Sequence, residues 1–155
     1  MPQLRALALA IDQAVRRRDE AIAALLKVQR DCQGAQDQMG QLQSYALETE
    51  AHWALGARGT ANPEIVRHYD HFMDRLQQAV GMQQGGVADQ LQALARARKH
   101  VMDAEIRAAG LQLLLDKRRA DRTRMQNTRE QKQLDEMSAL QFRRLHANSE
   151  TLGTP

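Results

Sequence analysis

Apolar residues recur along the first third of the chain at alternating intervals of three and four. From Leu4 the series runs Leu4, Leu7, Ile11, Ala14, Arg18, Ala21, Leu25, Val28, Cys32, Ala35, Met39, Leu42, Ala46, Thr49 and Trp53. Only Arg18 and Thr49 interrupt it. A spacing of this kind, held over about seven heptads, marks a coiled-coil seam, because a 3.5-residue period keeps one narrow stripe against a partner helix. A second series follows with the same spacing: Val66, Tyr69, Met73, Leu76, Val80, Gln83, Val87, Gln90, Leu94, Ala97, Val101, Ala104, Ala108, Leu111 and Leu115. Its exceptions are Gln83 and Gln90.

Between the two lies Gly56-Ala57-Arg58-Gly59-Thr60-Ala61-Asn62-Pro63, which ends in a helix N-cap followed by a first helical residue. Two stripes separated by a short bend are buried by folding back on each other. The pattern therefore predicts an all-α fold, a long antiparallel two-helix coiled-coil hairpin. Helix 1 is expected over about 2–55, the bend over 56–62 and helix 2 over about 63–147, all in one domain spanning 1–147. Gly81, Gly85 and Gly86 in the second helix lie near Gly34 and Gly40 in the first, and they predict a kink or break near 84–87.

Past Leu115 the register reads Arg118, Arg122, Met125, Arg129, Lys132 and Glu136, so the apolar stripe ends. Helix propensity does not end with it, since no Gly or Pro occurs from Leu111 to Ser149. The second helix is thus expected to overhang its partner. Leu134, Met137, Leu140, Phe142 and Leu145 read as a second apolar cluster with nothing opposite, and 148–155 as a disordered tail.

Composition fits this picture: hydrophobic residues make up 43% and aromatics 3%, which suits thin helix–helix seams better than a thick core. The formal charge of +3 is unevenly spread. Residues 116–146 hold nine basic and five acidic side chains, whereas the remainder holds thirteen and fourteen. The positive excess lies wholly in the overhang. A lone cysteine, Cys32, excludes an internal disulfide and sits at a seam position, so it reads as a small core residue in a reducing compartment. The Ala/Leu run near the N-terminus is broken by Asp12 and is too short for a secretory leader, and no stretch reaches the ~20 apolar residues of a membrane span.

Function is sought first beside the seam near the bend. Tyr45 and Phe72 flank the seam on one side, as do Gln38 and Ala79, with Leu42 and Leu76 next to them. The trios 38-42-45 and 72-76-79 each follow i, i+4, i+7 and line one face of their helices. Together the six form a partly apolar side surface, either lapping over the seam or docking another protein. His52, His68 and His71 gather near the bend without a recognised metal-ligand spacing, and no metal or other cofactor is expected. Neither a phosphate-binding glycine loop nor a nucleophile elbow is present, so no catalytic role is expected. The basic residues Lys117, Arg118, Arg119, Arg122 and Arg124 are interleaved with Asp116 and Asp121, which is sparser than a groove-reading helix. A nucleic-acid-binding coiled coil remains the alternative from another class.

The hairpin plan, the Gln38…Leu42…Tyr45 and Phe72…Leu76…Ala79 patch, the segment His68-Tyr69-Asp70-His71-Phe72-Met73-Asp74-Arg75-Leu76 and the run Glu130-Gln131-Lys132-Gln133-Leu134-Asp135-Glu136 resemble the flagellar type III export protein FliJ family. The likeness extends from the first heptads to about Arg144. It implies a cytoplasmic, non-enzymatic stalk and adaptor, peripheral to the inner-membrane flagellar base, similar in fold to the central stalk of a rotary ATPase. Its partners would be the hexameric export ATPase FliI, the cytoplasmic domain of the export-gate protein FlhA and export chaperones, with no nucleic acid and with membrane contact only through partners. Carried over by position, Gln38, Leu42, Tyr45, Phe72, Leu76 and Ala79 would bind the gate. The overhang, through Lys117, Arg118, Arg122, Arg124, Arg129, Lys132, Leu134, Met137 and Leu140, would enter the ATPase. Thr49, where an aromatic would extend the patch, and Gln83, where a histidine is expected, depart from the family pattern. The equivalent stalk of a virulence-type secretion ATPase is a second reading of the same hairpin.

Overall fold

A computed structural model of the chain describes residues 2–56 and 62–152. They form two helices, α1 (Pro2–Gly56) and α2 (Pro63–Leu152), and the fold is an all-α helical hairpin. Every position of both heptad series is buried or half-buried, from Leu4 to Trp53 on α1 and from Val66 to Leu115 on α2. Nearly all other positions are exposed. The seam is thin: Leu7, Ile11, Ala14, Cys32, Met39, Met73, Leu76, Ala108 and Leu115 are its most buried members, and none of the described side chains is fully enclosed. Small residues at many seam positions limit the apolar area that each layer withdraws from water.

Packing groups the chain into two compact units. One comprises Asp12–Ala108, the other Met1–Ile11 with Ala109–Pro155. In the first unit the helices run antiparallel. Trp53 stacks on Tyr69, Tyr45 meets Phe72 edge-to-face, and the Gln83 side chain reaches the Ala35 carbonyl. In the second unit Leu7 and Ile11 of α1 are buried, as is Leu115 of α2. Leu115 is the last buried residue of α2, and every position from Asp116 to Thr151 is exposed.

The predicted bend falls mostly on residues 57–61, which lie outside the described residues. Its closing cap is described. Asn62 Oδ1 accepts the Glu64 N–H at 3.3 Å and the Asn62 carbonyl accepts the Val66 N–H at 3.2 Å. Pro63 is the first residue of α2, where its missing N–H costs nothing, and Glu64 places a negative charge in the first turn.

Two expectations need correction. Of the kink or break anticipated near 84–87, the break does not occur: α2 is continuous through Gly85 and Gly86. Glycine costs only about 0.5–1 kcal/mol each in a helix interior, and half-buried Val80, Gln83, Val87 and Gln90 hold this stretch against α1. The tail expected from residue 148 is helical as far as Leu152. Its polar side chains bond back one turn along the helix, as Thr123 and Thr128 do earlier in α2. Ser149 Oγ donates to the His146 carbonyl at 2.8 Å, and Thr151 Oγ1 donates to the carbonyls of Ala147 and Asn148.

Candidate interaction surfaces

The six side-surface residues near the bend separate into two layers. Leu76 is 8% exposed and Leu42 and Ala79 are half-buried, so these three form the floor and belong to the seam. Tyr45 and Phe72, at 51% and 41% exposed, stand above it with ring centroids 6.2 Å apart and planes at 81°. An edge-to-face pair of this geometry is attractive by about 0.5–1.5 kcal/mol beyond burial, so the two rings fix each other while leaving one face each to solvent. Gln38 is exposed at the border of the same surface and accepts from Gln83 Nε2 at 3.5 Å.

Gln83 is the feature that the heptad pattern did not interpret. Its amide donates to the Ala35 carbonyl at 3.2 Å as well as to Gln38, crossing from α2 to α1. A polar residue in an apolar seam, together with a second amide one step off the seam on the facing helix, was the available signal. Arg18, the charged exception on α1, is resolved locally: its guanidinium folds onto Asp19 Oδ1 at 3.1–3.2 Å and needs nothing from α2.

Nearer the bend, Trp53 and Tyr69 stack with centroids 4.2 Å apart and planes within 7°. Desolvation by this packing, with the nearby Glu50 and Asp70 carboxylates, holds the Tyr69 phenol above its ordinary pKa of 10.0. His52, His68 and His71 are exposed, and no group of three metal-binding side chains assembles among the described residues. The surface hollows there are open grooves along the helices; one is lined by Asp37, Gly40, Gln41, Ser44 and Tyr45 of α1 alone. None of the described polar or charged residues is buried.

On the exposed part of α2 the expected partner-binding residues do not share one face. At about 100° per residue, Arg118, Arg122, Met125, Arg129 and Lys132 fall within an arc of about 80°, and Leu140 falls on its edge. Lys117 and Arg124 lie about 100–120° to one side, Met137 about 100° to the other, and Leu134 nearly opposite. The apolar cluster read from the sequence divides in the same way. Leu134, Phe142 and Leu145 share one side, from which Met137 is displaced and Leu140 is remote, and all five are more than half exposed. Within the unit of Met1–Ile11 and Ala109–Pro155, the cationic arc borders a groove of about 720 Å³ that includes Gln3 and Leu4 of α1.

The class defined so far is that of an all-α helical hairpin with a thin seam and exposed aromatics beside it. The chain belongs to the flagellar FliJ protein family, whose description, Flagellar FliJ protein, matches residues 3–146. Membership makes it a flagellar export-related protein. No curated protein and no solved structure matches the chain. None of its helices, over the described residues, is long and apolar enough to cross a membrane.

Proposed function

We propose that the chain is a non-enzymatic stalk and adaptor of the flagellar type III export apparatus, joining the export ATPase FliI to the cytoplasmic domain of the gate protein FlhA. The reading places the protein in the cytoplasm at the flagellar base, held there through its partners. The observation that carries it is the Tyr45–Phe72 pair, two rings preorganised against each other yet about half exposed beside a seam already satisfied. Aromatic side chains held in this way are the usual anchors of protein interfaces, because little entropy remains to be lost on docking. Gln38, at its border, offers a polar contact for orientation. The ATPase contact belongs to the uncovered stretch of α2 beyond Leu115, which is long, cationic and free of seam partners. Handling of export chaperones is part of the same reading.

Such an adaptor does no chemistry. It acts by binding one arrangement of its partners more tightly than another, which biases their assembly. The patch is tested with Phe72→Ala and Tyr45→Ala, not with Leu76→Ala, since loss of a seam residue would open the hairpin itself. Each should weaken binding to the gate domain about tenfold or more with helicity unchanged; unaltered binding removes the patch assignment. Truncation after Leu115 should leave a folded hairpin that no longer binds or stimulates the ATPase, and retained stimulation removes the role of the overhang.

A further inference from the structure

The seam of α2 changes its chemistry at Leu115 without changing its spacing. Leu111 and Leu115 are followed at the same three-four intervals by Arg118, Arg122, Met125, Arg129 and Lys132, all exposed. A stripe that keeps coiled-coil spacing keeps the geometry for a facing helix. Its charge specifies what that helix must carry. Four cations share the arc with Met125; Asp121 lies about 20° outside it, and Glu136, the next position of the series, ends the cationic run. The groove at its start has Leu4 of α1 and Met125 as its apolar members, with Arg118, Arg122 and Arg129 around them and Asp121 as its one acidic member.

We infer that this face, Arg118 to Lys132 with Leu4, docks an acidic amphipathic helix of a partner protein, which prolongs the α1 side of the seam. The inference rests on the reading that the uncovered part of α2 binds a partner, and it deepens that reading by naming the face and the chemistry of what it takes. Arginine forks pair with carboxylates in two parallel hydrogen bonds, so glutamates at the facing seam positions satisfy them, and an apolar side chain on the same helix covers Leu4 and Met125. A nucleic-acid backbone meets the cations equally well. It has no use for the Leu4–Met125 floor. The cations on the other faces, Arg119 and Arg124, take no part.

The probe is a fluorescent designed 21-residue helix with glutamates facing Arg118, Arg122 and Arg129 and leucines facing Leu4 and Met125. Its binding to the full chain is followed by anisotropy at physiological ionic strength. Saturable binding is expected, weakened tenfold or more by Arg122→Glu with Arg129→Glu and changed less than twofold by Arg119→Glu with Arg144→Glu, which alters the charge equally. Equal binding of a scrambled peptide, or equal damage from the two double variants, overturns the face in favour of diffuse attraction. Tighter binding of a 20-base-pair duplex DNA overturns the choice of a helix. If the Arg122→Glu/Arg129→Glu protein still binds the export ATPase and truncation after Leu115 does not, this face is overturned while the overhang reading stands. If both still bind, both fall.

Discussion

Gln83 occupies a seam position between Val80 and Val87, and it uses its amide to bond across to Ala35 and Gln38. A neutral hydrogen bond of this kind contributes about 1 kcal/mol net, less than a well-packed leucine would gain from burial. Gln83→Leu should therefore raise the midpoint of thermal unfolding, by about 1 kcal/mol of stability, and release the Gln38 side chain; circular dichroism melts check the first and amide NMR of Gln38 the second. A drop in stability would mean that the amide contributes more than its geometry suggests. Tyr69 permits a pH prediction. Its phenol ionises above 10.0 in the folded chain, so on raising the pH the unfolded chain loses its proton first. The stability contributed by the protonated phenol is full below the ordinary tyrosine pKa and is lost as the pH climbs through the folded value. Alkaline melts should show this fall from about pH 10 upward, and Tyr69→Phe should remove it. The spacing located Trp53 and Tyr69 in the seam, but ring stacking depends on side-chain rotamers that a heptad does not encode.

At the scale of the helices, α2 carries Gly81, Gly85 and Gly86 in its interior with nothing within 4 Å of where a Cβ would stand at any of them. No close approach requires glycine there. Gly85→Ala and Gly86→Ala should each stabilise the protein by about 0.5–1 kcal/mol, read as higher unfolding midpoints and slower amide exchange over that stretch. Destabilisation would show that the helix needs freedom that its packing does not reveal. At its other end Asn62→Ala removes the acceptor for the Glu64 N–H and should cost about 1 kcal/mol. The course of both helices was legible because each heptad series is long and each of its members is buried or half-buried. The continuity of α2 was not. Glycine propensity argues locally for a break, and the decisive contribution is tertiary contact with α1. The helical end at 148–152 was missed because Ser149 and Thr151 are disfavoured in helix interiors, yet here their hydroxyls bond back to carbonyls one turn earlier without interrupting the helix.

At the scale of the whole molecule, sequence pattern identified both candidate surfaces but blurred their composition. Heptad positions flanking the seam brought Tyr45 and Phe72 together, and they do meet. The same pattern could not distinguish floor from surface, so Leu76 was grouped with residues that solvent reaches. On the uncovered part of α2, reading along the chain merged cations and apolar residues that the helical turn sets on opposite sides. What remains is a family member with two separately testable surfaces, and the proposed function requires both to be engaged together. That is measured by sedimentation of the full chain mixed with the export ATPase and the gate's cytoplasmic domain. The account predicts one ternary species, reduced to the ATPase complex alone by Tyr45→Ala with Phe72→Ala and to the gate complex alone by truncation after Leu115. Mutually exclusive binding of the two partners, or a ternary species indifferent to both changes, would contradict it.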